Sequence, residues 1–476
     1  VVAARLAQRF VELAQSAHAR FVVARIRQGE DPAPEGSRLG LGGLRVNITT
    51  GEVRVSPRLL VKSLAEYVGW SIYGTLAVCF RRRTRSDTPA QPAALVFGIG
   101  AEALFRDGSD ADFAEYCARG PITPLAAARK LVVQALAAQR SSVPERIAYH
   151  RLPLYTLART SPATLGEKVG FTCRQVADAV RFLALVLRHP LAAVLAQDLA
   201  QERVAAFLDQ RAAIGDVVIT NSNFGKQPLW MRRERRRYTV HMVWYSQNII
   251  PFVYARRPVA ADFPAYRHMA VDVAWVWTSA FAAYLEGLGA RADYRVVGPV
   301  LWQLPGAIAA QREGDGIRIA VFDVVPVREE VARGLGLLNY YYNAASMIEF
   351  LDGISAAARE VERASDRRVT LLLKHKRAHA PMHDTGYHAA VDALRARGEI
   401  ELLPPETNIH TLLAESDCAV VAPYSSPAYI ASDMGKPSVF FDASGVLAPT
   451  YLPGPAIHFA GSVQALVAVI LESLER

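Results

Sequence analysis

The chain has 476 residues, with 54 Lys and Arg against 45 Asp and Glu and a formal charge of +9. Apolar residues make up 51% and charged residues 21%, which excludes a disordered chain, and the length exceeds one typical core, so two α/β domains are expected. A basic balance suits nucleic acid, anionic lipid or phosphorylated substrates; no RNA-binding signature or zinc-finger spacing is present, which sets nucleic acid aside.

Four isolated cysteines, Cys79, Cys117, Cys173 and Cys418, sit in apolar contexts and read as buried thiols of a reducing compartment. The amino terminus lacks the apolar core and cleavage site of a secretory signal, and no initiating methionine is present. The expectation is therefore a piece of a longer protein, located in the bacterial cytoplasm.

Residues 1–90 read as a helical segment. Val1 to Gln28 carries apolar residues at helical spacing, and Leu44 to Val55 suits a hairpin around Thr50-Gly51. Leu59 to Phe80 predicts an amphipathic helix closing on Arg81-Arg82-Arg83-Thr84-Arg85, too short in its uncharged part to span a membrane. Such a helix is either a core helix with a solvated basic end or a peripheral contact with an anionic membrane face.

Residues 91–300 read as a first Rossmann-like domain. Ala93 to Ile99 is a buried strand, Ser142 to Ile147 suits a helical turn, and Val176 to Gln210 suits a long helix in which His189-Pro190 is structural. Strands are then predicted over 216–220, 238–245, 271–277 and 294–297. Residues 301–316 read as a linker. The second domain, 317–476, has predicted strands over 317–321, 369–373, 400–402, 419–421 and 438–441, helices over 347–364, 387–397 and 409–415, and a terminal helix over 462–474. The fold class is thus α/β, with two Rossmann-like halves facing a cleft.

Within the second half, Cys418 to Ala422 is a continuous apolar run, followed by Ser425, Ser426 and Pro427 at the start of a helix. Two hydroxyls at a strand's carboxyl end, beside a helix N-terminus, suit a phosphate; the plainer alternative is that the serines cap the helix. Asp323 ends the first strand, a place for either a catalytic carboxylate or a turn cap. Lys374, His375, Lys376 and Arg377 leave the next strand and suit a nucleotide phosphate and its proton transfer, the alternative being a solvated charge run. His375, His379 and His383 have metal-like spacing, but Pro381 breaks any helix aligning them, so no metal is assigned. In the first half, Asn221, Asn223, Lys226, Gln247 and Asn248 are natural sugar-hydroxyl partners, with Tyr245 and Trp230 able to stack on a sugar; Trp275 and Trp277 read as packing.

Residues 216–476 resemble a GT-B glycosyltransferase of bacterial surface polysaccharide synthesis. The resemblance rests on Val296-Val297-Gly298-Pro299, Ile319 to Pro326, Lys374 to Arg377, and the Ser425-Ser426 stretch with Gly435-Lys436-Pro437. It is nearest to retaining transferases of Kdo, and implies a CMP-Kdo donor, a glycan or lipid-linked glycan acceptor, no cofactor or metal, and a carboxylate nucleophile, for which Asp323 is the candidate. The glutamate pair of many retaining GT-B enzymes is missing from the second half. A nucleotide-sugar epimerase and a non-catalytic glycan- or nucleotide-binding subunit are the alternatives.

Overall fold

The computed structural model describes residues 40–41, 44–46, 53–54, 57–80, 92–99, 110–134, 146–188, 190–220, 227–245, 253–255, 266, 269–302, 315–334, 341–375, 379–405, 407–449 and 456–475. The helix expected over 1–28, the cluster Arg81–Arg85, and Asn221, Asn223, Lys226, Gln247, Asn248, Lys376 and Arg377 lie outside the described residues. Three short antiparallel strands come first: β1 (Gly40–Leu41), β2 (Leu44–Val46) and β3 (Val53–Arg54), with Val46 opposite Val53 as a hairpin requires.

Helix α1 (Pro57–Cys79) follows, and leads into a first domain of β4 (Ala93–Phe97), α2 (Asp110–Arg119), α3 (Thr123–Ala127), β5 (Leu131–Gln134), β6 (Ile147–His150), α4 (Pro153–Thr160), α5 (Leu165–Arg188), α6 (Ala196–Gln210), β7 (Ile214–Thr220), β8 (Thr239–Val243), β9 (Val273–Val276), α7 (Ser279–Gly287) and β10 (Asp293–Val296). Among the described residues its seven strands are all parallel, in the order β10-β9-β8-β7-β4-β5-β6. Parallel strands are covered on both faces, hence apolar runs such as Val217-Val218-Ile219. Helix α1 packs on α4, α5 and α6, so its inner face belongs to this domain.

Two expectations change here. Ile147, expected in a helical turn, opens strand β6 beside β5. The long helix over 176–210 is broken: α5 ends at Arg188, a 3-10 turn spans Pro190–Leu195, and α6 resumes. Proline has no N–H for the helical ladder, which accounts for the break. Helix α5 also starts earlier, at Leu165, where Thr164 and Glu167 form a reciprocal cap: Thr164 N donates to Glu167 Oε2 (2.7 Å) and Glu167 N to Thr164 Oγ1 (3.3 Å).

The second domain contains β11 (Ile317–Phe322), α8 (Glu329–Gly334), α9 (Ala344–Ser365), β12 (Val369–Lys374), α10 (Thr385–Ala396), β13 (Glu401–Leu403), α11 (Ile409–Ala414), β14 (Cys418–Val421), α12 (Pro427–Asp433), β15 (Ser438–Phe441), β16 (Ile457–Ala460) and α13 (Val463–Glu475). Six parallel strands run β13-β12-β11-β14-β15-β16. The terminal helix α13 packs on α9, β15 and β16 of its own domain.

The two domains meet at the carboxyl ends of their strands. Trp277, just after β9, lies edge-on to Tyr429 of α12, with ring centroids 6.0 Å apart. Residues 253–255, after β8, pair with the loop after β15: Ala255 N donates to Val446 O (2.9 Å) and Ala448 N to Val253 O (2.7 Å). Two parallel α/β domains with facing strand ends are the GT-B arrangement.

Candidate active site

In the second sheet, chain order reverses between β11 and β14, and the crevice outside such a switch point is where doubly wound sheets bind ligands. Phe322 is paired with Val421, and Ala422 N donates to Phe322 O (2.9 Å). Asp323 and the 422–426 turn therefore leave the sheet side by side.

Asp323 has a fully buried side chain. Its Oδ2 accepts hydrogen bonds from His375 Nδ1 (2.6 Å) and from the Tyr387 hydroxyl. Burial, then the Asp323 charge, pushes the Tyr387 phenol well above its ordinary pKa, so it stays a donor. With no exposure and two donors on one oxygen, Asp323 holds His375 by its Nδ1 in this structure. With Nδ1 engaged, Nε2 of His375 has no hydrogen-bond partner among the described residues.

Tyr387 and His388 are the residues missed in the sequence. Asp384 caps α10 by accepting from Tyr387 N (2.9 Å), which places 387 and 388 in its first turn. His388 lies among three other imidazoles, with ring centroids 4.1 Å from His379, 5.9 Å from His383 and 6.1 Å from His375. Burial, then the neighbouring His379, His375 and His383, lowers its pKa. Pro381, which argued against alignment, instead sits in the turn that folds these side chains together. Among the described residues no group of three or more His, Cys, Asp or Glu is placed to hold a metal ion.

Lys374, expected on a phosphate, points elsewhere: its Nζ donates to Pro405 O (2.8 Å), and the residue is buried. The turn after β14 is held by aromatics. Tyr342 donates to Pro423 O (2.5 Å), and the buried Tyr424, at φ 61°, donates to Ala448 O (2.9 Å). A non-glycine residue in the left-handed region costs free energy and tends to persist where a site requires it. Ser425 follows, 2% exposed, with its Oγ lacking a partner; Ser426 stands at the N-cap of α12 without a side-chain cap bond, and Pro427 opens the helix. The serines therefore do not cap α12. Ser425 Oγ, Asp323 Oδ1, Tyr429 Oη and His388 Nε2 are all buried and unpartnered. These four lie on elements that flank the switch point, where a ligand or water would satisfy them.

On the first domain, Tyr245 is half-buried just beyond β8. Trp230, expected to stack on a sugar, is instead 1% exposed and packs against Tyr238 and Phe97. Trp275 and Trp277 are buried packing residues, as expected. Arg233 and Arg236 of the basic run pair with Glu202 (3.1 Å) and Asp272 (2.6 Å) and act as ties within the domain. Cys173, expected buried, is exposed, because it lies on the outer face of α5; burial pushes Cys117 and Cys418 up to about 12.

No curated protein matches this chain. Among solved structures it is similar to the wall teichoic acid polymerase TagF (11% identity, 88% of each chain covered, TM-score 0.44). It is also similar to the UDP-GlcNAc 2-epimerase of Methanocaldococcus jannaschii (11% identity, 81% of this chain and 93% of that one, TM-score 0.38). A third similarity is to an alpha,alpha-trehalose-phosphate synthase (UDP-forming) of Burkholderia vietnamiensis (12% identity, 81% and 90%, TM-score 0.39). One family model matches residues 181–470, more than half of the chain and all of the second domain's sheet. The chain belongs to the family of polysaccharide biosynthesis PFTS motif proteins.

Proposed function

We propose that this protein is a glycosyltransferase that moves a sugar from a nucleotide donor onto a growing bacterial surface glycan. The observation that carries the proposal is the pairing, at one switch point, of an Asp-held histidine with a rigid turn bearing an unpartnered buried hydroxyl. Membership of a polysaccharide biosynthesis family is a second support.

In this proposal the donor phosphate rests on Ser425, Ser426 and the start of α12 at Pro427, with Lys376 and Arg377 supplying positive charge. His375, counter-charged by Asp323, gives its Nε2 proton to the phosphate oxygen as the sugar–oxygen bond breaks. The acceptor hydroxyl then bonds to the freed carbon and gives its proton to His375 Nε2, which the first step left free to accept it. Asn221, Asn223, Lys226, Tyr245, Gln247 and Asn248 are the proposed acceptor side, since they follow β7 and β8 on the facing domain. CMP-Kdo is the first donor to test, on the resemblance described above, with a glycan or lipid-linked glycan as acceptor and the cytoplasm as the location.

A thermal-shift panel of CMP, UDP, GDP and CMP-Kdo tests the proposal. A ligand at 100 times its Kd stabilises the folded state by about 2.7 kcal/mol, which is readily seen. One nucleotide family should shift the transition, and the Ser425→Ala/Ser426→Ala variant should lose that shift. If no nucleotide or nucleotide sugar shifts the wild type, the donor-site assignment fails.

A further inference from the structure

We propose that the outer faces of α1 and α5 form a docking surface for an anionic lipid bilayer. The observation is separate from the active site. On α5, Leu165, Val169, Val176, Val180, Leu183 and Leu187 are all exposed, at steps of three, four and seven that keep them on one side of the helix. Leu165 and Leu187, at its two ends, are 79% and 75% exposed. The stripe thus runs the whole helix, about 36 Å at 1.5 Å per residue. Helix α1 shows the same feature in Val61, Val68, Ile72 and Leu76. The two helices pack against each other: the Tyr67 ring stacks on Phe182 at 4.3 Å, and Cys79 Sγ lies 3.9 Å from Thr172 Oγ1. The two pairs run in opposite directions along the chain, so the helices are antiparallel.

Single exposed leucines need no explanation, but two adjoining apolar stripes do. The charges select the occupant. Arg174, Arg181 and Arg188 are exposed and seven residues apart, a single row about a third of a turn around α5 from the apolar stripe. Arg174 bonds its own helix's Gly170 carbonyl (3.1 Å) and Arg181 touches Asp178 (3.3 Å), exposed contacts that hold neither firmly. In sequence, Arg81, Arg82, Arg83 and Arg85 follow α1 directly. An apolar stripe edged by arginine is the pattern of a helix lying in a membrane interface, its side chains in the acyl boundary and its cations among phosphates. A second copy of this chain would cover the stripes but bring like-charged rows together. No described helix is long and apolar enough to cross a membrane, so the contact is one of lying on the surface.

The test is co-sedimentation of the full chain with phosphatidylglycerol-containing and with pure phosphatidylcholine vesicles at low salt. The exposed Cys173 thiol, on the same face, carries an environment-sensitive fluorophore. Binding to the anionic vesicles with a blue shift of the probe is expected. Arg174→Gln/Arg181→Gln/Arg188→Gln should weaken binding on the order of a hundredfold. Val176→Glu/Val180→Glu should abolish it, with thermal unfolding unchanged because both side chains are exposed. The proposal is overturned if the wild type ignores anionic vesicles, or if the double Glu variant binds as well as wild type. It is also overturned if the probe is already in apolar surroundings without lipid, since the face is then covered by protein.

Discussion

Asp323→Asn separates two roles for the same residue, nucleophile or anchor of His375. In the native protein Oδ2 accepts from His375 Nδ1 at 2.6 Å and from Tyr387, while Oδ1 is buried and unpartnered. Asparagine can keep its carbonyl on the two donors, which leaves its NH2 buried at the Oδ1 position. An unpaired buried donor costs about 1–3 kcal/mol, so the variant should fold with a lowered Tm. The loss of the negative charge removes support for the His375 imidazolium, and general acid catalysis contributes about 10²–10⁴ in rate. Turnover of the donor identified by the nucleotide panel should fall by that order, with nucleotide affinity nearly unchanged. The decisive measurement is the double-variant cycle with His375→Gln. Residues that act as one unit are not additive, so the double variant should be hardly slower than His375→Gln alone. If the two losses multiply, or if a sugar adduct on Asp323 is found by intact-mass spectrometry, the anchoring role is refuted.

Removing the unpartnered Ser425 hydroxyl together with that of Ser426 should leave Tm nearly unchanged while weakening nucleotide binding by about 1–3 kcal/mol, measured by calorimetry; undiminished affinity would remove the turn from the donor site. His388 has a lowered pKa in the fold, so the unfolded chain takes up the proton first as pH falls. Stability should therefore decline as pH drops through the ordinary histidine range toward the lower folded value, and His388→Phe should flatten that decline in pH-dependent denaturation; an unchanged slope would contradict it. Gly353 of α9 packs closely on the sheet, where a Cβ would come 2.7 Å from Phe441 Cε1 and 3.4 Å from Ala443 Cβ. Gly353→Ala should lower stability by about 1–3 kcal/mol through overpacking, against the small gain in helix propensity, and a stabilised variant would refute the close contact.

The second domain was legible in the sequence because its strands are buried on both faces and separated by amphipathic helices. Val420 and Leu372 sit in apolar runs whose ends follow from the burial itself. The first domain was harder. β5 and β6 are four residues each, and the alanine-rich Leu136 to Ala138 beside β5 carries a helical signal that masks the strand. β16 was missed for the same reason of length, and is fixed by its ladder with β15 more than by its own composition. The site divides similarly. Asp323 and His375 stood out because each directly follows a readable strand, and Ser425 because it lies in the turn after one. Tyr387 and His388 were not, because they reach the site across a turn whose shape depends on Asp384, Ala380 and His383 together: Ala380 N donates to His383 Nδ1 at 3.2 Å. Trp230 was misplaced because an aromatic after a strand reads the same whether it faces a sugar or a core.

The described residues contain another Asp–His pair, with a buried histidine and a half-buried carboxylate, and the contrast shows what makes one of them a candidate for chemistry. His241, inside β8, has Nε2 2.9 Å from Asp216 Oδ1, and its Nδ1 accepts from Trp275 Nε1 at 3.3 Å. Both nitrogens are occupied, so the ring can neither give nor take a proton without breaking a bond; it ties β7, β8 and β9 together. His375 stands one residue beyond its strand instead of within it, and there Nε2 has no partner among the described residues while Asp323 keeps Nδ1. The same two residue types therefore tie strands together where the strand surrounds them, and under the proposed function they carry chemistry where the strand ends. Position along the strand separates the two roles, and at the switch point of the second sheet Nε2 of His375 has no partner among the described residues.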